Sequence, residues 1–394
     1  MYNKILIRFG EISLKGNNRS FFVNKLISNI KKTLAGITEF HIKNTYGRIY
    51  VEADNNIEQI IEKLKFVPGI VSLSPTAVAP LNFEDLKKTS LKVFQDAVNK
   101  YPTTFKVETR RPNKDFPLQS PEISRKIGSH IFTSINTDNK ENKLSVDVHD
   151  PEYTLNIEVR KNNIYVYTKI ISGPGGLPIG TSGKGLLLLS GGIDSPVAGW
   201  MSMKRGMDVE ALYFHSFPYT SDRAKEKVLD LGKTLSHYSG NVKLYISHFT
   251  DIQQKIKENC PAKYNITIMR RMMFRLAEKI ARKYNNLALI TGESIGQVAS
   301  QTLESMNVIN AVTNMPIIRP LIALDKTEII ATARKIGTYE TSIQPYEDCC
   351  TIFVPEHPVT KPGMKDTLEA EKNLKVDSLL AEAMKKIEII NTNF

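Results

Sequence analysis

The residues with the most chemical promise form one short run, Ser190-Gly191-Gly192-Ile193-Asp194-Ser195. Two adjacent glycines let successive backbone N–H groups turn toward one point and approach an anion closely. Ser190 and Ser195 add hydroxyl donors, and Asp194 adds a carboxylate able to orient the loop or an ion. Pro196 follows, a residue at home in the first turn of a helix, and Ser195 is expected to cap that helix. A helix N-terminus aimed at the same point favours phosphate. The run directly follows Leu186-Leu187-Leu188-Leu189, an apolar stretch that reads as a parallel strand buried on both faces. Ligands bind at the carboxyl ends of such strands. The chemistry expected is the gripping of a phosphate group. A plain strand-to-helix turn would also use glycines, but the two serines, the Asp and the following Pro together disfavour it. A Walker A loop is excluded, because Gly183-Lys184 is followed by Gly185 and Pro178 stands where the first glycine is required.

The second chemical feature is the pair Cys349-Cys350, set between Glu347-Asp348 and Thr351. A buried cysteine is ordinarily a small hydrophobe. An adjacent pair in a polar, proline-flanked segment is not a core pattern, so function is favoured there. Cys260, the third cysteine, reads as incidental, with a resolving role for it left open. Three cysteines exclude a disulfide framework, and no secretory signal opens the chain, so a cytoplasmic location is expected. No Cys-x-x-Cys and no His/Cys pair at zinc spacing occurs, so no direct protein motif for a metal is expected.

The elements that must hold these groups divide at residues 172–183, where Gly and Pro dominate and neither a helix nor a central strand can persist. Before the break, a strand at 4–9, a helix at 18–34, paired strands at 39–42 and 47–52, a helix at 57–64 and a strand at 70–78 give the β-α-β-β-α-β order of a ferredoxin-like unit. A second α+β unit follows, with helices at 83–99 and 119–135 and strands at 105–109, 155–160 and 164–169. After the break, strands at 186–189, 209–214, 242–246 and 287–291 alternate with helices, including 222–236 and 326–336. This predicts an α/β, doubly wound parallel sheet. Residues 366–390 read as one closing helix.

The 394 residues exceed one ordinary domain, and 41% hydrophobic with 24% charged residues describes a globular chain. No apolar run approaches the length of a membrane span. The formal charge is +12. Residues 1–170 carry 26 Lys and Arg against 18 Asp and Glu, and within residues 1–50 the count is nine against two. Such an excess attracts polyanions, nucleic acid first.

Ser-Gly-Gly-x-Asp-Ser resembles the PP-loop of ATP pyrophosphatases, which cleave ATP to AMP and pyrophosphate. The resemblance sharpens with Gly10-Glu11-Ile12-Ser13-Leu14-Lys15-Gly16, Lys106-Val107-Glu108-Thr109-Arg110-Arg111-Pro112, Thr291-Gly292-Glu293-Ser294-Ile295-Gly296-Gln297-Val298-Ala299-Ser300-Gln301-Thr302 and Pro345-Tyr346-Glu347-Asp348-Cys349-Cys350-Thr351-Ile352-Phe353. Together these motifs resemble the tRNA 4-thiouridine synthetases (tRNA uracil 4-sulfurtransferases) from residue 4 to about residue 362. That resemblance implies a ferredoxin-like domain at 1–60, extending to about 78, and a THUMP RNA-binding domain at 61–170. A linker at 171–183 and a PP-loop pyrophosphatase domain at 184–394 follow.

It implies replacement of O4 of the uridine at tRNA position eight by sulfur, with ATP and Mg²⁺. A uracil C4 oxygen is a poor leaving group, and adenylation makes AMP the leaving group. Asp194 and Lys326 match catalytic positions, although Lys326 by itself would read as an ordinary first-turn lysine. Nucleotide contacts carry over onto Leu188, Leu189, Ser190, Gly191, Gly192, Asp194, Ser195, Tyr213, Phe214, Arg270, Gly292 and Gln301. Without the resemblance the apolar ones would be read as core, and Arg270 with Arg271 as a solvated basic face. A thiolate able to carry a persulfide is placed at Cys349 or Cys350, with Cys350 aligning slightly better and the attacking one left open.

Some members carry a C-terminal rhodanese domain. This chain ends at Phe394, so a cysteine desulfurase is expected to deliver sulfur directly. Lys15, Arg19, Lys106, Arg110, Arg111, Lys114 and Lys126 are candidates for RNA phosphate contacts. A sulfur-carrier protein for thiamine biosynthesis is a further partner known in the family, and homodimers occur among its members. Two rival readings stand beside this one: a PP-loop enzyme that adenylates another substrate, and a tRNA-binding protein with a regulatory nucleotide site. Loss of activity without RNA would separate the first, and the cysteine pair and Lys326 count against the second.

Overall fold

The computed structural model describes residues 2–45, 47–136, 143–346 and 358–393. By internal packing they form two units, one of residues 1–19, 30–66 and 70–175, the other of residues 20–29, 67–69 and 176–394. Cys349 and Cys350 lie outside the described residues.

In chain order the elements before the Gly/Pro break are β1 (Lys4–Arg8), α1 (Arg19–Leu34), β2 (His41–Thr45), β3 (Arg48–Glu52), α2 (Ile57–Leu64), β4 (Ser72–Ala79), α3 (Phe83–Ala97), β5 (Thr103–Arg110), α4 (Ser120–Asn136), β6 (Leu144–Val146), β7 (Tyr153–Val159), β8 (Ile164–Tyr167) and β9 (Ile171–Ser172). All nine strands share one sheet, ordered β2-β3-β1-β4-β8-β7-β5-β6, with β9 also on β4. The first four are antiparallel, with Ile5 opposite Val51 on one side and Pro75 on the other. This is the ferredoxin-like arrangement. In the second half β5 runs parallel to both β6 and β7. Leu86, Val93 and Phe94 of α3 and Ile123, Ile127 and Ile131 of α4 recur at helical spacing and bury against Phe105, Leu155 and Ile157 of the sheet. The short strand β6 has no local signal, because three residues with one buried side chain carry no period.

The elements of the second unit are β10 (Lys184–Leu188), α5 (Asp194–Lys204), β11 (Asp208–His215), α6 (Asp222–Ser239), β12 (Asn241–His248), α7 (Thr250–Asn259), α8 (Asn265–Lys283), β13 (Ala288–Ile290), α9 (Leu303–Asn310), β14 (Ile317–Ile318), α10 (Lys326–Ile336), α11 (Tyr339–Ser342), α12 (Met364–Glu371), α13 (Val376–Lys385) and β15 (Glu388–Asn393). The sheet order is β14-β13-β10-β11-β12-β15. The first five strands are parallel, and β15 closes the edge antiparallel to β12. The chain runs one way from β10 through β12 and the other way through β13 and β14. The topological switch therefore falls between β10 and β13, where such sheets bind ligands. Helices α5, α6 and α10 cover one face, and α7, α8, α12 and α13 the other. The end of the chain departs from the single helix expected over 366–390. A turn at residues 372–375, pinned by buried Leu374, separates α12 from α13, and Glu388-Ile389-Ile390-Asn391-Thr392-Asn393 pairs with the open edge of β12. The β-branched residues there suit an edge strand better than a helix end. None of the described helices is long and apolar enough to cross a membrane.

Candidate functional site

The loop between β10 and α5 sits at the carboxyl end of the innermost strand. Leu186 and Leu187 of β10 are fully buried, so the strand fixes where the loop begins. Ser195 does not cap the helix. The helix starts two residues earlier than that cap implies, at Asp194, with Ile193 in the cap position and no side-chain cap. The Ser195 hydroxyl instead folds back over the loop, accepting from the Ser190 N–H at 2.9 Å and lying 3.2 Å from the Ser190 hydroxyl. The Gly192 N–H donates to Ser190 Oγ at 3.3 Å. Both serines thus shape the loop from within. Gly292, at the end of β13, supports it from behind: a Cβ there would lie 2.7 Å from Ser195 N and 2.8 Å from Asp194 C. No larger residue fits without moving backbone.

In front of the loop opens a cavity of about 480 Å³, a volume suited to a small-molecule ligand. It brings together Leu188, Leu189, Ser190, Gly192, Asp194, Tyr213, Phe214, Arg270 and Gln301 from the sequence-derived set, and Gly191, Ser195 and Gly292 stand outside its lining. Ile266, Met269, Met273, Val298 and Ser300 complete the wall. The sequence reading missed them. Met269 and Met273 flank Arg270 at the i, i+4 spacing of one face of α8, which is the signal that would have found them. The side-chain oxygen of Gln301 is buried with no hydrogen-bond partner among the described residues. It offers an acceptor to a bound group.

Lys326 opens α10, whose start is fixed by a capping box: Asp325 accepts from the Glu328 N–H and Glu328 accepts from the Asp325 N–H. Its Nζ lies 2.5 Å from Asp194 Oδ1, and Gln297 donates to Asp194 Oδ2 at 3.1 Å. The lysine side chain is 43% exposed and the aspartate 23%, so the pair contributes at most about 1 kcal/mol to stability. Its charges are available to a ligand.

Arg270 and Arg271 diverge. Arg270 lines the cavity and donates to Glu293, which also accepts from Arg319 at 2.8 Å and from the Thr291 hydroxyl at 3.0 Å. Burial alone would push the Glu293 carboxyl up, but the Arg270 and Arg319 guanidiniums hold it below the usual carboxylate range. Arg271 is not on a solvated face. It is 2% exposed and makes a paired contact with Glu371 of α12, which Arg275 shares.

A relative from Halothermothrix orenii named "Probable tRNA sulfurtransferase" is 68% identical over 392 residues, covering 99% of each chain. The chain belongs to the tRNA sulfurtransferase family. A Moorella thermoacetica protein of the same name is 52% identical and covers 99% of this chain, which covers 98% of it. Residues 4–74 match the ThiI ferredoxin-like domain, residues 81–169 the THUMP domain, and residues 180–376 the family described as thiamine biosynthesis protein (ThiI). The fold is similar to a 4-thiouridine synthetase crystallised with RNA and bound ATP, at a TM-score of 0.88 and 39% identity over 99% of this chain and 100% of that one. It is also similar to PH1313 from Pyrococcus horikoshii, at a TM-score of 0.65 and 28% identity over 85% and 99%.

The remaining described candidates of this sulfurtransferase-family chain are not among the residues that line the cavity. Arg110 and Lys114 are exposed. Arg111 turns inward and donates to the carbonyls of Lys114 and Phe116 at 2.7 and 2.8 Å, bracing that loop. Lys15 pairs with Glu11, Lys106 with Glu108 and Lys126 with Glu122, and Arg19 lies over the Phe9 ring. Cys260 ends α7 half-buried, and burial pushes its thiol up to about 11, which leaves little thiolate near neutral pH.

Proposed function

We propose that this protein thiolates tRNA, replacing O4 of the uridine at position eight with sulfur to give 4-thiouridine. The observation that supports it most is one convergence. At a single cavity meet the 190–195 loop, the acceptor oxygen of Gln301, unpartnered among the described residues, and Asp194, to which Lys326 is ion-paired. ATP fits that cavity by its chemistry. The apolar wall of Leu188, Tyr213, Phe214, Met269 and Met273 suits a purine, and the Gln301 oxygen would accept from an exocyclic amino group. The loop N–H groups and the Ser190 hydroxyl suit the phosphates. The uridine O4 attacks the α-phosphorus, pyrophosphate leaves, and O4 carries AMP. Lys326 neutralises charge building on the phosphates, and Asp194 orients Lys326. Asp194, the one carboxylate lining the cavity among the described residues, would hold Mg²⁺, which would supply positive charge against the phosphates.

The sulfur half rests on Cys349 and Cys350. The terminal sulfur of a persulfide on one of them bonds to C4, and AMP departs with the former O4. A second thiol then cleaves the sulfur–sulfur bond, leaving a disulfide for a thiol reductant to reopen. The raised thiol of Cys260 argues against Cys260 as that second thiol. A cysteine desulfurase is the proposed source of sulfur, and the matched thiamine-biosynthesis family supports a second acceptor, a sulfur-carrier protein. The ferredoxin-like and THUMP domains, taken as 1–60 and 61–170, are the proposed tRNA surface, with the pyrophosphatase domain at 184–394. The test combines protein, ATP, Mg²⁺, tRNA, cysteine, a desulfurase and a thiol reductant, and reads 4-thiouridine absorbance. Wild type should form it, and Asp194→Ala and at least one of Cys349→Ser and Cys350→Ser should not. Full thiolation by Asp194→Ala or by both cysteine variants would overturn the assignment.

A further inference from the structure

Glu293 is not itself part of the cavity lining, yet both of its oxygens are committed beside it. Oε1 accepts from Arg270, which does line the cavity, and Oε2 accepts from Arg319 Nε at 2.8 Å and Thr291 Oγ1 at 3.0 Å. Arg319 is itself held, donating to Asn310 Oδ1 at 2.6 Å. The carboxylate is 2% exposed and cannot swing away. Two guanidiniums against one carboxylate leave the trio with a net positive charge at the cavity wall. A free arginine loses rotamer freedom on ordering, so an arginine fixed before the ligand arrives binds it at lower cost.

We infer that Glu293 is a positioning residue for the nucleotide step: it fixes the Arg270 guanidinium in the cavity wall and sets nucleotide affinity through Arg270, without touching the nucleotide. The inference rests on the reading of the cavity as the nucleotide site with Arg270 in contact. A buried ion pair is weak ground for stability alone, and this one stands where its geometry controls a ligand group. The neighbouring Gly292 already fits the same turn to the pyrophosphate loop, so one segment contacts both that loop and Arg270.

The test is a double-mutant cycle on the full-length protein, titrating a non-hydrolysable ATP analogue and measuring the ATP KM and kcat of tRNA thiolation. The variants are Glu293→Gln, Arg270→Ala and the pair, each checked by thermal melting. Glu293→Gln should weaken the analogue about tenfold and raise KM more than it lowers kcat. Arg270→Ala should weaken it at least as much, and the double variant should bind no worse than Arg270→Ala alone. An equal loss from Glu293→Gln in the Arg270 and Ala backgrounds would make Glu293 a structural residue only and overturn the inference, as would wild-type affinity in Glu293→Gln. Wild-type affinity in Arg270→Ala would instead overturn the Arg270 contact, and the inference with it. If melting shows that Glu293→Gln does not fold, Arg319→Gln takes its place. It loosens Glu293 without changing Arg270, and its loss of affinity should vanish in the Arg270→Ala background; persistence there refutes the positioning role.

Discussion

Gly292→Ala is the sharpest single test of how the pyrophosphate loop is held. The added Cβ would stand 2.7 Å from Ser195 N, 2.8 Å from Asp194 C and 2.9 Å from Ser195 Cα. All three are backbone atoms of the first turn of α5, so no side-chain rotation relieves the clash. Ordinary contact begins near 3.4 Å, so the turn must move by about 0.7 Å relative to β13. Overpacking of this kind costs about 1–3 kcal/mol. The loop carries the displacement directly, because Ser195 is bonded back to Ser190. A misplacement of that order in a catalytic loop lowers the rate by about 10- to 100-fold. The assay pairs titration of a non-hydrolysable ATP analogue with single-turnover formation of 4-thiouridine. Gly199→Ala is the matched control. Its Cβ would meet Leu187 Cδ2 at 2.6 Å, a side-chain contact beneath the sheet, so it should lower the melting temperature while leaving nucleotide affinity within about twofold. Wild-type affinity and rate in Gly292→Ala would refute the view that this backbone contact sets the loop.

Lys326→Ala should lower the thiolation rate by about 100-fold or more, with melting nearly unchanged, because an open pair contributes little stability but a charge facing phosphates acts on the transition state. Single-turnover kinetics and a thermal melt decide it. Stability should fall in acid: burial raises the carboxyls of Glu293 and Glu371, but their arginine partners win and hold both below the ordinary value near 4.5. The folded chain then binds fewer protons than the unfolded one, so their contribution is present above about 4.5 and is lost as pH falls through the depressed folded values. Urea unfolding at stepped pH should show this, with a shallower decline in Glu371→Gln. Neutralising Arg110 should weaken tRNA binding and reduce its salt dependence by about one counterion, with ATP-analogue affinity unchanged; a binding assay across salt concentrations reads both.

The pyrophosphate loop was legible because its signal is local: an apolar strand, two glycines and a helix start are consecutive in the chain. The use of Ser195 was not. Whether its hydroxyl caps a helix or folds over the loop turns on where the helix begins, and that differs by two residues. Arg270 and Arg271 are adjacent and chemically alike, yet one lines a cavity and the other is buried. What separates them is Glu371, a hundred residues away in sequence. The end of the chain was misread for a similar reason. The apolar residues of 366–390 keep a helical period, and only the unfilled edge of β12 turns the last of them into a strand.

The stretch after β13 ties the site together. Gly292 packs on the pyrophosphate loop, Glu293 holds Arg270, and Gln297 donates to Asp194. Between them the Ser294 hydroxyl donates to the Leu324 carbonyl at 3.1 Å and the Ile295 N–H to the Ile322 carbonyl at 3.2 Å. Those carbonyls belong to the segment that leads into Lys326. One turn of chain therefore sets the relative positions of the loop, the arginine, the aspartate and the lysine. Groups positioned by one rigid element do not respond independently when it moves. A substitution that shifts this turn displaces all four at once, so removing Lys326 as well costs less than it does from the wild type. That coupling distinguishes a shared brace from four separately held residues.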